Sequence, residues 1–565
     1  MSMRTSTINS IFKNDLKRFW VVGLMYLILI FLNIPLNMLI SLSKVTDKEE
    51  LIFTFTQMFN YQSDYFIFCI LILSILVGML LIREVQGYRS NIHIFSLPFS
   101  KKNIFINKFF AGFVLFFTPI FVNFLITEAI YFAFGVNELM KKSIILNYYI
   151  MLLLICIIFF LQSLVIGIIT SNSLFHISSG LLINFIPFIF ISVLNSFLNV
   201  VFYGLHLEDS VTLLTSNKSF IAYLFPLLSW LNSEIVFSKA GFAGYIYLIL
   251  TILIYFLLSY VLFTKRKNEK ATNLIVFDSI AEALKYFNTA LLMFGVSSLA
   301  TMIAKGDIFT VFMWGLIGAF FGYYLSEALL KRNFKVYRNL EGYLIVVSIW
   351  CIFLLISQTE IIFRHSPPKL EDVESVCISN NKKIIYDMEY EFKAPRFHIT
   401  NKETIKKILS LQQHITSLKR DYSKSDNIYI VYKLKNGREI KRLYEGSFDS
   451  KYNEYMKLIS LDEGYKKINY NIFNIDDKEF DKVMIFIKDK NEVEINDKDK
   501  IKFVVNNLKR DILSNSYQYK DEIIFDGIEK SKGSIEIYYG YDGQKYKYIA
   551  YVIDTNNKWI DELIK

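Results

Sequence analysis

The chain has 565 residues, 53% of them hydrophobic, with a mean hydropathy of +0.35, the balance of an integral membrane protein rather than a soluble one. Its net charge of +10 and pI near 9.0 do not make a nucleic-acid surface. Many of the cations flank apolar stretches, and near the C-terminus Lys alternates with acids, as in Asp497-Lys498-Asp499-Lys500, the pattern of a solvated face.

In chain order, Ser6–Phe19 comes first, with Ile8, Ile11, Phe12, Leu16 and Phe19 at helical spacing opposite Lys13, Asp15 and Lys17. That spacing predicts an amphipathic helix on the inner membrane face. Nine apolar stretches of near-membrane length then fill the first two thirds: Phe19–Ile40, Tyr65–Ile82, Phe109–Phe134, Ile144–Ile169, His176–Val201, Gly244–Phe263, Phe287–Ala304, Phe309–Leu330 and Tyr343–Phe363. A helix rises about 1.5 Å per residue, so about 20 apolar residues cross the roughly 30 Å hydrocarbon core. The first stretch is longer than a signal h-region and reads as a retained helix. Pro119 and Pro187 are expected to kink the third and fifth spans. Ser219–Leu231 is apolar but too short to cross, and reads as re-entrant or interfacial.

Lys and Arg set the expected orientation, because they are poorly translocated in short loops. Arg4, Lys13, Lys17 and Arg18 put the N-terminus inside. The basic loops 83–108, 265–285 and 331–338 then share that side, and nine spans leave the C-terminal domain outside.

The loop after the second span reads Arg83-Glu-Val-Gln-Gly-Tyr-Arg-Ser-Asn-Ile-His-Ile-Phe-Ser-Leu-Pro-Phe-Ser-Lys-Lys, and runs on to Lys108. It resembles the first cytoplasmic loop of type-2 ABC export permeases, in which an acid and a Gly follow the second helix and Leu-Pro-x-Ser-[Lys/Arg]-[Lys/Arg] leads into the third. Glu84, Gly87, Leu97, Pro98, Lys101 and Lys102 match that pattern in type and order, as do Ser100 and Lys108. The resemblance implies that these residues form an ATPase-coupling loop. It implies cytosolic ABC ATPase subunits, holding ATP and Mg, and a second permease subunit, identical or not, as partners in the membrane lipid. It covers residues 1–265 as a six-helix unit; residues 266–363 add three further helices. The whole layout is similar to Ytr-type permeases of Gram-positive bacteria with a C-terminal extracytoplasmic domain.

That domain, 364–565, is expected to be α+β with two weak repeats, about 380–460 and 480–565. Thr400 and Glu403 predict a capping box for one helix, and Asn496-Asp-Lys-Asp-Lys opens another at the same phase. Hairpins follow, Ile428–Leu434 turning at Asn436-Gly437 and Ile535–Tyr539 turning at Asp542-Gly543, where such pairs supply positive φ. Short helices close each copy, at Lys451–Ile459 and Asn557–Ile564, and β-rich stretches precede them at Lys383–Phe392 and Val483–Glu494.

No Gly-x-x-x-x-Gly-Lys-[Ser/Thr] occurs, so the chain itself is expected not to hydrolyse ATP, and no catalytic or metal-ligating constellation is recognised. Glu128 and Glu327 stand out as carboxylates inside spans, Glu128 as a candidate on a substrate pathway. The expectation is the membrane subunit of an exporter for an amphipathic or membrane-associated substrate. The alternative is a non-transporting sensor or immunity protein whose outer domain binds a peptide or lipid-linked ligand.

Overall fold

The computed structural model describes residues 2–560 apart from 45–47, 61–63, 137–140, 206–223, 226, 228–241, 304–307, 336–340, 360–362, 364, 381–397, 419–425, 447, 488–491, 515–532, 542–545 and 554–558. Two compact units emerge. The first comprises 1–197, 208–299 and 312–351; the second comprises 198–207, 300–311 and 352–565.

The first unit is helical. Helix α1 (Ser2–Asn33) runs into α2 (Pro35–Lys44), then come α3 (Lys48–Asn60), α4 (Asp64–Gln86), α5 (Tyr88–Ser96), α6 (Lys101–Ala133), α7 (Lys142–Ile169), α8 (Ser173–Ile183) and α9 (Ile186–Val201). After strand β1 (Gly204–Leu205) the chain forms α10 (Phe242–Lys265), α11 (Asp278–Ile303), α12 (Ile308–Lys331) and α13 (Glu341–Ser357). The amphipathic segment and the first span form one continuous helix, since Ser2–Asn33 contains no proline; the break falls before Pro35.

Along α1, Phe19, Val22, Tyr26 and Ile30 are buried, while Trp20, Leu24, Ile28 and Leu32 are exposed. A helix that is apolar on its outward face as well is built for lipid. In α10 the polar Thr251 and Ser259 point inward, and Ile246, Ile249, Leu250, Leu253 and Leu257 point outward. The chain is therefore a multi-pass membrane protein. Helix α7 is buried along most of its length and forms the axis of this unit. Glycines let its neighbours close on it: a Cβ on Gly112 would lie 2.2 Å from the Phe160 ring, and one on Gly78 2.2 Å from Ser163 Oγ.

The nine-span expectation is wrong. Among the described residues, six helices are long and apolar enough to cross: Ile11–Lys44, Tyr65–Gln86, Lys101–Ala133, Lys142–Ile169, Gly244–Lys265 and Ile308–Lys331. The count is seven if the pair α8–α9, bent by 56°, is one span. Pro187 sits in the first turn of α9, at that bend, whereas α6 continues through Pro119 unbroken. The two other expected spans fail for different reasons. Helix α11 carries Lys285, Asn288, Thr289, Ser297 and Ser298, which dilute its hydropathy. Helix α13 has 17 residues, about 25 Å at the usual rise, short of the roughly 30 Å core. The expected short helix at Ser219–Leu231 lies largely outside the described residues.

The second unit holds two four-stranded antiparallel sheets, ordered β1-β4-β3-β2 and β6-β5-β7-β8. The first copy comprises β2 (Val373–Ser379), α14 (Lys402–Ser417), β3 (Asp426–Leu434), β4 (Glu439–Gly446), α15 (Ser450–Ile459) and α16 (Glu463–Asn469). The second comprises β5 (Phe480–Ile487), β6 (Val493–Ile495), α17 (Lys498–Leu513), β7 (Gly533–Tyr541) and β8 (Tyr546–Ile553). Each contains a strand, a helix and a hairpin. Alternate strand residues meet one helix face: Ile428, Ile430 and Tyr432 share a core with Ile405, Ile408 and Ile415, and Ile535 and Ile537 share one with Val504, Val505 and Leu508.

The Asn436-Gly437 turn forms as expected, with Gly437 at φ +80° and Leu434 N donating to Arg438 O at 2.9 Å. The capping residue differs. Asn401, not Thr400, caps α14, its amide oxygen accepting from Glu403 N at 3.0 Å. Asn401→Ala should therefore cost about 1 kcal/mol in the melting of the C-terminal domain while Thr400→Ala is near neutral. Asp497 caps α17 in the same way. The β-rich stretch expected at Lys383–Phe392 lies outside the described residues, as do most of the last helix and the Asp542-Gly543 turn. The leading strand of the first copy is β2. Val483–Glu494 divides into parts of β5 and β6.

Candidate functional site

The expected coupling loop folds as a short helix between two long ones. Gly87 is extended (φ −75°, ψ 134°) and ends α4; α5 follows for nine residues. Leu97 is extended too (φ −67°, ψ 149°), as the residue before a proline must be. Ser100 then caps α6, accepting from Asn103 N at 3.3 Å. Gly87, Leu97 and Pro98 are thus the punctuation that isolates α5. Asn91 and Ile94 face inward, and Tyr88, Arg89, Ile92 and His93 are exposed.

Charged groups hold the base of this helix. Glu84 accepts from Arg18 Nη1 at 3.0 Å and from Lys108 Nζ at 2.8 Å, and the same ammonium lies 3.2 Å from Asp15 Oδ2. The Lys108 and Asp15 side chains are 1% and 2% exposed. Two acids and two bases thus join α1, the end of α4 and the start of α6. Glu84 turns toward this network, so its role is to brace the loop from within. Glu84→Lys would place a third cation beside Arg18 and Lys108 and loosen the base itself.

Lys101 Nζ donates to Arg266 O at 2.7 Å and lies 5.4 Å from the Phe95 ring; Lys102 is exposed. Arg266, which follows α10 directly, is buried. Its guanidinium donates to the carbonyls of Ile168, Thr170 (3.2 Å) and Val85 (3.2 Å), and burial among these neutral groups pushes its pKa down to about 10. The 3-10 turn Asn268–Thr272 beyond it packs on α5. Beside this lies a polar cluster: Gln86 Nε2 donates to Gly167 O (3.2 Å) and Thr170 Oγ1 (3.2 Å), and is 3.1 Å from His176 Nδ1.

Asp15, Gln86, His176 and Arg266 were missed as site residues. The signals were present: a carboxylate in a lysine-rich amphipathic segment, and an arginine at the end of the six-helix unit.

Glu128 lies apart, at the other end of α6. One oxygen is 3.0 Å from Lys142 Nζ, and the other is buried without a hydrogen-bond partner among the described residues. Glu327 bridges Lys285 (3.2 Å) and Lys331 (2.6 Å). Among the described residues, no group of three or more His, Cys, Asp or Glu could hold a metal ion. Cys377 is buried, its sulfur 2.8 Å from His398 Nδ1, and burial pushes the thiol up to about 12, which suits packing rather than nucleophilic chemistry.

Compared with family models, with curated proteins and with solved structures, the chain finds no match.

Proposed function

We propose that this chain is the membrane subunit of a two-part exporter, driven by a separate cytosolic ATPase that acts on α5. The observation that carries the reading is a short helix presenting Tyr88, Arg89, Ile92 and His93 outward on a base made rigid by buried ion pairs and by Arg266. A surface helix with such a base moves the long helices on both sides of it when pushed. The Glu84…Lys102 pattern supports the type-2 ABC export permease as the family concerned. ATP and Mg would reside on the partner, a second permease subunit would complete the pathway, and amphipathic or membrane-associated compounds suit helices with so few polar residues on their faces.

The same contacts support an orientation. Ile168, Thr170 and Arg266 meet at one face, so the chain leaves that face with α8 and returns to it through the 24 residues of α10. The bent pair α8–α9 then crosses as well, making seven spans. With the basic N-terminus inside, α9 ends outside, and β1, which follows it, pairs with β4, which puts the C-terminal domain outside as well. A cysteine at Asn436, in the exposed turn of the β3–β4 hairpin, should react with an impermeant thiol reagent in intact cells, and one at His93 should react only after lysis. The opposite pattern would invert the topology.

Affinity purification of the full chain tests the function. Recovery of a stoichiometric ATPase, whose activity falls at least tenfold when Tyr88 and Ile92 are both changed to Asp, supports the reading. An intact chain with no ATPase, or an ATPase indifferent to those changes, rejects it and favours the sensor alternative.

A further inference from the structure

Both ends of the bent span α8–α9 are held, each by a different kind of lock. At its beginning, Gln86 Nε2 donates to Gly167 O, which fixes the amide: nitrogen faces His176 Nδ1 at 3.1 Å, and Oε1 accepts from Ser173 Oγ at 3.1 Å. His176 Nδ1 must then be the acceptor. Its Nε2–H donates to Ser163 Oγ at 3.0 Å, and that hydroxyl donates to Ile75 O at 3.1 Å. Two residues of α8 therefore rest on Gln86, the last residue of α4, and Gly87 beside it opens α5. The fit is close, since a Cβ on Gly167 would lie 2.5 Å from the imidazole.

At its end, α9 leads through Phe202 and Tyr203 into β1. Gly204 and Leu205 pair with Leu443 and Arg442 of β4 as the edge strand of the first sheet. The Tyr203 ring packs edge-on against Tyr444, 5.2 Å between centroids, and Phe202 packs on Phe353 and Phe363. In the middle, at the 56° bend, the Asn184 side-chain nitrogen donates to Gly180 O at 3.3 Å, and its amide oxygen is buried with no hydrogen-bond partner among the described residues.

We propose that α8–α9 is the transmission element of this protein: movement at α5 passes through Gln86 and His176 into the bent span, and through β1 into the C-terminal domain, and the reverse. The motor's identity rests on the reading above; the transmission does not. Gln86 and His176 are positioning residues in this scheme.

A disulfide at Leu205→Cys/Arg442→Cys tests it in the full chain. Facing antiparallel residues lie about 4.5–5.5 Å apart at Cα, within the range a disulfide spans. The reduced form of the same protein is the folding control. Hydrogen exchange at the α5 amides should differ at least threefold between oxidised and reduced chains, and His176→Ala should abolish the difference. In a complex with an ATPase, oxidation should lower ATP turnover at least threefold and reduction should restore it. Identical α5 exchange in both states overturns the proposal, as does a difference that persists in His176→Ala. Altered exchange in a chain that recruits no ATPase keeps the transmission and removes the transport reading.

Discussion

Lys108→Met should be among the most damaging single substitutions in the membrane unit, costing about 3–5 kcal/mol. The ammonium is the partner of two carboxylates, and the two are not equally exposed to its loss. Glu84 keeps Arg18 at 3.0 Å and is 30% exposed, so water and the guanidinium still compensate it. Asp15 has no second cation among the ion pairs of the described residues, and its side chain is 2% exposed. An uncompensated buried carboxylate must take up a proton or open the packing between α1 and α6. The expected result is a large fall in the thermal transition of the purified protein in lipid nanodiscs, with loss of the α1–α6 contact. The double variant Asp15→Asn/Lys108→Met should recover most of it, because both members of the pair are then neutral. A single variant that melts like the wild type would show that the pair is hydrated in the bilayer.

Gly204→Val should release β1 from the C-terminal domain. Gly204 has φ +86°, where a β-branched residue is strained, and a Cβ would lie 2.5 Å from Tyr444. Strain of this kind costs about 1–3 kcal/mol before the clash is added, more than a two-residue strand can return. The expected readout is at least a tenfold drop in the rate of oxidative cross-linking between cysteines at 205 and 442. Undiminished cross-linking would mean that the Tyr444 ring yields. A consequence follows for the isolated fragment 368–565, which has the repeats but lacks β1. It should melt below a fragment in which residues 202–205 are fused to it through a flexible linker.

Where the sequence was legible, the reason is local. The Asn436-Gly437 turn needs only a residue that tolerates positive φ, and α17 needs only Asp497 before an amphipathic run. Pro98 forces Leu97 to be extended whatever surrounds it. Between Glu84 and Lys102, the glycine and proline that bound α5 and the serine that caps α6 likewise act on near neighbours. The count of spans failed where local composition misleads. The run Phe287–Ala304 already holds Asn288, Thr289, Ser297 and Ser298, with Lys285 just before it, and Tyr343–Phe363 is helical only to Ser357, too short to cross.

The sequence by itself determined that this is a multi-pass membrane protein with a separate C-terminal α+β domain, and where several of its helices and turns begin. Hydropathy, capping and turn chemistry act between near neighbours and are written in the order of residues. Only the tertiary structure decided what Glu84 does, because Asp15 and Lys108 stand 93 positions apart and meet only when α1 packs on α6. It alone placed Arg266 on the ends of α4 and α7, set the 56° bend, and gave the edge of the first sheet to β1, which lies far before β2, β3 and β4 in the chain. Such contacts follow from shape and burial among distant segments, which no local pattern of residues encodes.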